Sequence, residues 1–272
     1  NPDMFYLKKF SSFVFALSIL LGLSSTAAAN LDRQEINQLY GALGRSSFET
    51  FTDFLEQLTG SGAGSSTTQG VAQAYTAGDS LNAEQSTTLY RLLGVYTRLK
   101  YGPEALGTLS QLVAIDTSQV EGVEQHENPK FRLFAEVLGR IAGDFGLSFR
   151  NVDDRVYEIT LEGSSEELVG LHAHADIVPV NPDLWILPDG TQLDPFELNL
   201  IGNRLYGRGA EDDKNGIVAS LYAMKVIQEE GLSLARTLRL LVDTTEETSS
   251  TAIPYYFQNN PVPEYNIALD GS

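Results

Sequence analysis

The sequence predicts an α/β fold: a mixed, largely parallel sheet flanked by helices, with a helical N-terminal appendage. The first observation is that, from Leu112 onward, amphipathic helical patterns alternate with short apolar runs typical of buried strands. The second is the length of 272 residues, which allows one large domain or two ordinary ones. The third is that residues 30–105 look helical and carry no group of residues suited to chemistry.

The N-terminal residues predict an exported protein. Two lysines precede an apolar run from Phe10 to Leu23, and small residues follow as far as Ala29. This is the arrangement of a secretory signal peptide at residues 1–29. The apolar run is shorter than the ~20 residues that a membrane span needs, so a retained anchor is the less favoured alternative. We expect a periplasmic or extracellular protein with no stable membrane association after signal cleavage.

Residues 30–105 predict a helical extension in two parts. Apolar residues recur on one helical face from Ile36 to Leu43 and again from Leu89 to Leu99. Between them, residues 60–68 read GSGAGSSTT, a composition that predicts a flexible linker.

Residues 106–272 predict the sheet. Asn128 and Pro129 begin a helix that Gly146 ends. The next predicted elements are strands at Val156–Leu161 and Leu168–His174, a helix at Gly216–Glu229, and strands at Leu238–Asp243 and Tyr265–Asp270. This order of strands and helix predicts parallel strand pairs.

Composition limits the partners of such a protein. Hydrophobic residues make up 42% and charged residues 20% of the chain, as in soluble globular domains. The formal net charge of −18 argues against binding to nucleic acid or to an anionic membrane surface. The chain has no cysteine, so it has no disulfide framework.

Two of the three histidines lie in one short stretch, GLHAHADIVPV. His172, His174 and Asp176 occupy alternate positions, so they project to one face near the carboxyl end of the strand. A buried histidine bonded to a carboxylate would explain this stretch by itself. The alternative is that His174 binds a metal ion with Asp176 as its partner.

Acidic residues follow the other predicted strands at the same edge of the sheet. They are Asp212 and Asp213 before the helix, Glu246 and Glu247 after the third strand, and Asp270. Each group alone has an ordinary explanation, such as an acid favoured at a helix N-terminus or a turn before glycine. Together they would repel one another unless a cation bound them. A mixed histidine and carboxylate shell suits zinc, with cobalt or manganese as substitutes.

Three segments carry a family resemblance: HAHADIVPV, LYGRGAEDDKNGIVASLYAMKVIQEEGL and TTEETSS. Over about Leu112 to Ser272 the chain resembles the dinuclear-zinc family of dipeptidases, aminoacylases and glutamate-type carboxypeptidases, and within it the bacterial dipeptidases related to Xaa-His enzymes. The resemblance implies a zinc-peptidase-like fold. It also implies metal-dependent hydrolysis of an amide bond in dipeptides or small peptides, through a metal-bridging water and a glutamate general base.

The resemblance implies a metal site with two zinc ions when complete. His174 and Asp270 would bind one metal, Asp212 would bridge both, and Glu247 would bind the second. The peptide bond between Asp212 and Asp213 would be cis.

The resemblance also assigns two catalytic residues. Glu246 would be the general base, and Asp176 would orient or tune His174. His172 matches no ligand of the family, and we expect it to be a neighbour of the site.

One departure from the family concerns the end of the chain. The family takes a further histidine ligand, and a lid or dimerisation domain, from residues downstream, whereas no histidine follows His174. We do not expect His126 to substitute. Residues 106–272 would then be the N-terminal part of the catalytic domain, inactive by itself, and the lid would allow a homodimer.

Two alternative functions stay open. One is an N-acyl amino acid deacylase of the same fold, so that the substrate is either a small peptide or an acylated amino acid. The other is a truncated, non-catalytic metal-binding module.

Overall fold

The computed structural model describes residues 31–202 and 204–270. The predicted signal peptide at residues 1–29 lies outside them. The described residues form two compact units, which divide between Pro103 and Glu104. Among these residues, none of the helices combines the length and the apolar character needed to cross a bilayer.

The first unit is helical. Its core is aromatic, with Phe48, Phe51, Phe54 and Tyr96 buried and in ring contact. The helices are α1 (Arg33–Leu43), α2 (Phe51–Ser61), α3 (Ser66–Thr76) and α4 (Ala83–Val113), whose last residues belong to the second unit.

The flexible linker expected at residues 60–68 is instead a tight connection between α2 and α3. Gly62 ends α2 in the left-handed conformation, with φ of 67°. Ser65 caps α3 by accepting from the Thr68 amide. The buried Glu35 carboxylate then accepts from the Ser65 amide and the Thr68 hydroxyl, at 2.5 and 2.7 Å. Glycine and serine therefore end and begin helices here.

The second unit contains the predicted mixed sheet. Its strand order is β1-β2-β6-β3-β7; β2 is antiparallel to both of its neighbours, whereas β6, β3 and β7 are parallel. The strands are β1 (Ser148–Val152), β2 (Val156–Leu161), β3 (Leu168–His174), β6 (Thr237–Asp243) and β7 (Tyr265–Ala268), and a separate hairpin pairs β4 (Asn199–Ile201) with β5 (Arg204–Tyr206).

Helices flank this sheet. Asn128 caps α5 by accepting from the Lys130 amide, and Pro129 occupies the first turn. The apolar side chains Phe131, Phe134, Leu138 and Ile141 of α5 are buried. The helices of this unit are α5 (Pro129–Asp144), α6 (Lys214–Glu229) and the short α7 (Ala252–Tyr256), with single 3₁₀ turns at Gln125–Glu127 and Pro182–Leu184.

The parallel register brings three strand ends to one edge of the sheet. His174 at the end of β3 pairs with Asp243 at the end of β6. β7 ends at Ala268 rather than at the predicted Asp270, although the Leu269 amide still bonds to the His172 carbonyl at 2.9 Å. The residues after β3, β6 and β7 therefore emerge side by side, where open α/β sheets place their sites.

Candidate metal centre

His174 is held in one orientation by its neighbours. The side chain is 1% exposed. Its Nδ1 atom lies 2.9 Å from the Asp176 carbonyl oxygen and 3.4 Å from Asp176 Oδ1. A carbonyl oxygen only accepts, so Nδ1 carries a proton. This leaves Nε2 as the atom that faces the acidic residues, as in a metal-binding histidine.

Four carboxylates surround the Nε2 side of His174. Asp212 Oδ1 lies 2.8 Å from Nε2, and Glu246 Oε2 lies 3.9 Å from it. Potential ligand atoms of His174, Glu246 and Asp270 lie within 4.8 Å of one another, and so do those of His174, Asp212 and Glu247. The structure thus brings together all four predicted ligands and the predicted base.

The grouping differs in detail from the one that the resemblance implies. His174, rather than Asp212, belongs to both groups of potential ligands. Glu246, assigned as a general base, lies among the donors of one group. The peptide bond between Asp212 and Asp213 is cis, as expected from the resemblance.

Asp176 joins two parts of the site. It is fully buried, and its carboxylate accepts hydrogen bonds from two successive backbone amides. The Glu246 amide donates to Oδ1 at 3.1 Å and the Glu247 amide donates to Oδ2 at 2.9 Å. Because the same residue contacts His174, it fixes the imidazole relative to the two glutamates.

The acidic residues perturb one another's pKa values. Burial lowers the pKa of His174, but its hydrogen bonds with Asp176 and Asp212 outweigh burial and raise that pKa to about 11. The bond with His174 lowers the pKa of Asp212. Burial and the Asp212 charge raise the pKa of Glu247 to about 7. Burial raises the pKa of Glu246, and the Asp270 and Asp176 charges add to this.

This donor set fits a divalent cation. Each group has one imidazole nitrogen and two carboxylate oxygens within 4.8 Å of one another, and these are groups that zinc binds in proteins. A bound cation would offset the repulsion that raises the pKa of Glu247.

The two residues after Asp212 are fully buried, and the second of them anchors the loop. Asp213 is fully buried, and burial raises its pKa to about 8. Its carboxylate lies so close to Gly216 that a Cβ there would overlap it. Lys214 is also fully buried and donates to the Leu112 and Ile115 carbonyls at 3.0 and 2.8 Å. Asp213 was predicted as one of the acids at this edge of the sheet, whereas Lys214 was given no role, although it lies in the same quoted segment LYGRGAEDDKNGIVASLYAMKVIQEEGL.

The other two histidines lie outside both groups of potential ligands. His172 Nε2 lies 3.8 Å from Asp243 Oδ2 on the same face of the sheet, which makes it a neighbour of the site. His126 Nε2 contacts an Arg155 guanidinium nitrogen at 3.1 Å.

Part of the second unit is similar in sequence to a family of peptidases. Residues 170–268 match the family model described as Peptidase family M20/M25/M40. The Beta-Ala-Xaa dipeptidase of Lactobacillus delbrueckii subsp. lactis is 29% identical over 176 residues, which are 61% of this chain and 34% of that protein. The first curated relatives are matched over between 25% and 35% of their own length.

A solved structure supports the fold. The crystal structure of human carnosine dipeptidase 1 aligns with a TM-score of 0.53 and 21% identity, covering 65% of this chain and 40% of that one. Since the identity is low, this likeness bears on the fold alone. The match to the family model therefore shows that residues 170–268 are similar to peptidase family M20/M25/M40.

Proposed function

We propose that this chain supplies metal-binding and catalytic residues of a metal-dependent peptidase that cleaves an amide bond in dipeptides or small peptides. The observation that carries the proposal is the convergence of four carboxylates on the Nε2 side of His174. The named activity of the Beta-Ala-Xaa dipeptidase, a relative over 61% of this chain, supports the choice of a small peptide substrate.

The metal is zinc, with two ions in a complete site and cobalt or manganese as substitutes. His174 and Asp270 would hold one ion, Asp212 would bridge to the second, and Glu247 would hold the second ion. When bound, the metals lower the pKa of a water and polarise the scissile carbonyl. The potential ligand atoms are already within 4.8 Å of one another in each group, so little rearrangement is needed.

Glu246 is the general base in this proposal. Its side chain is 40% exposed, so it can reach a substrate, and its backbone amide is fixed on buried Asp176. Burial raises its pKa, and a raised pKa favours proton transfer near neutral pH. Glu246 would take one proton from the attacking water and deliver it to the leaving amine as the C–N bond breaks.

The test separates the base from the ligands. In the full-length protein with its downstream residues, Glu246→Gln should keep its zinc, measured by elemental analysis, and lose about 10²–10⁴-fold in dipeptide turnover, the usual effect of losing a general base. Asp212→Asn should lose zinc. Glu211→Gln, beside the site and outside both groups of ligands, is the control and should keep both properties. Equal zinc loss in the Glu246 and Asp212 variants would make Glu246 a ligand and contradict the assignment.

The same preparations decide the substrate class. A panel should contain a β-alanyl dipeptide, an ordinary dipeptide and an N-acyl amino acid. Turnover of the acylated amino acid alone would favour the deacylase alternative, and tight zinc binding without any turnover would favour a non-catalytic module.

We also propose that the protein is exported, on the support of the sequence at residues 1–29. Expression of the gene followed by N-terminal sequencing of the periplasmic or secreted product should find a chain that begins near Asn30. A cytoplasmic product that retains those residues would contradict export.

A further inference from the structure

We propose that Thr245 is a positioning residue that sets the placement of the Glu246–Glu247 pair. It lies immediately before the pair in the loop that joins β6 to α7, and it is 4% exposed. The inference about the loop stands on its hydrogen bonds, and its consequence for metal binding rests on the function proposed above.

The Thr245 hydroxyl connects the two ends of this loop. It donates to Asp243 Oδ1 at 3.1 Å, at the end of β6. It accepts from the Thr251 and Ala252 amides at 3.0 and 2.9 Å, at the start of α7. A hydroxyl has one proton and two lone pairs. All the hydrogen-bonding capacity of the Thr245 hydroxyl is therefore used in closing the loop that carries both glutamates.

The Thr245 backbone adds bonds within the same loop. Its amide donates to Asp243 Oδ1 at 2.7 Å, and its carbonyl accepts from the Ser250 amide at 2.7 Å. Asp243 is itself 3% exposed, and its second oxygen faces His172. The start of the loop is therefore fixed on a buried carboxylate.

The glutamate pair is consequently held from two sides. On one side Thr245 is fixed on Asp243, and on the other side the Glu246 and Glu247 amides are fixed on Asp176. With its side chain 40% exposed, Glu246 takes its position largely from this backbone. A change at Thr245 should therefore move the glutamates without touching a ligand.

Valine at position 245 keeps the shape of threonine and removes the hydroxyl. The Thr251 and Ala252 amides would lose their acceptor, and a buried amide without a partner is unfavourable. The loop would then sample other conformations. Serine keeps the hydroxyl and should preserve the loop.

Thr244 offers a matched control. It is fully buried beside Thr245, but its hydroxyl donates to the Arg155 carbonyl at 2.8 Å, in the turn before β2. Thr244→Val removes a buried hydroxyl of the same kind without opening the loop at Thr251 and Ala252.

The test measures hydrogen exchange in the 272-residue chain without added metal. In Thr245→Val, exchange of the Glu246 and Glu247 amides should rise at least about tenfold relative to β3 amides of the same variant, because local opening governs their exchange. Thr245→Ser and Thr244→Val should leave that ratio within about threefold of wild type. An unchanged ratio in Thr245→Val, or an equal rise in Thr244→Val, would overturn the proposal.

A second measurement addresses the metal. Titration with Co²⁺, followed by visible absorption, should show binding about tenfold or more weaker in Thr245→Val, the usual effect of removing a group that orients ligands. Thr245→Ser should restore the affinity. If wild type binds no Co²⁺, the proposed function fails while the exchange result still decides the role of Thr245.

Discussion

Replacing Asp176 by asparagine tests how much a single carboxylate contributes to the second unit. The wild-type side chain accepts the Glu246 and Glu247 amides, one on each oxygen. Asparagine keeps one acceptor oxygen and presents an NH₂ group to the other amide, so one bond is lost and two donors face each other. A hydrogen bond to a charged group contributes about 1.5–3 kcal/mol. Burial raises the pKa of Asp176, so removing its charge offsets part of this loss.

We therefore expect Asp176→Asn to lower the free energy of unfolding by about 2 kcal/mol. The assay is urea unfolding followed by the fluorescence of the single tryptophan, Trp185, which is 3% exposed and lies in the second unit. Zinc affinity should fall by about tenfold or more in the same variant, because Asp176 contacts both His174 and the glutamate amides.

The control is the same substitution at an exposed turn. Asp189 accepts the Thr191 amide at 2.9 Å in an exposed position, and Asp189→Asn should leave both unfolding and zinc affinity close to wild type. The reasoning would be refuted if Asp176→Asn lowered the free energy of unfolding by less than about 0.5 kcal/mol, the range of ordinary surface changes, and left the zinc affinity unchanged.

Two further predictions concern the sheet and the loop before Asp212. Glu158 accepts hydrogen bonds from Arg150 at 2.5 Å and from the Tyr256 hydroxyl. Burial raises the pKa of Glu158, but these bonds outweigh burial and lower the pKa below the ordinary 4.5. The contribution of Glu158 to stability is therefore present above pH 4.5 and is lost as the pH falls through the lowered pKa. Glu158→Gln should lower the free energy of unfolding by about 1–2 kcal/mol at pH 7. Urea unfolding at several pH values should show that this difference shrinks below pH 4.5, and a difference independent of pH would contradict the prediction. Gly209 has φ of 72°, and a Cβ there would lie 2.5 Å from Ile177 Cγ2. Gly209→Ala should therefore lower the free energy of unfolding by about 2–4 kcal/mol. Gly190→Ala, with φ of 89° and open space around it, should show the smaller effect of backbone strain alone, and equal losses in the two variants would contradict the steric argument.

Much of the sheet was predictable because its central strands are rich in apolar residues and almost wholly buried on both faces. β2 and β3 have the predicted bounds, and residues of β2 are buried throughout. β1 was missed since its side chains are mostly exposed and carry no apolar pattern. The turn that pairs it with β2 contains Asp153 and Asp154, both at positive φ. Aspartate tolerates that conformation, so these two aspartates were the sequence signal for the turn and hence for a strand before it.

The site was predictable to the level of which residues meet. Parallel strands end at one edge, so acids placed after β3, β6 and β7 converge whatever the details of packing. The bonds from the Glu246 and Glu247 amides to Asp176 could not be predicted, because they join backbone atoms to a residue about 70 positions away. Nor does the sequence indicate that Lys214 is buried, since a lysine beside acids is usually on the surface.

The order of the strands has a consequence for biosynthesis. β6 lies between β2 and β3, yet it is translated long after both, so the two earlier strands cannot acquire their shared neighbour until the ribosome has passed Asp243. Until then each presents an open edge of unpaired backbone N–H and C=O groups, of the kind that pairs with other chains. Slowing translation between residues 174 and 237 should therefore increase aggregation of the nascent chain.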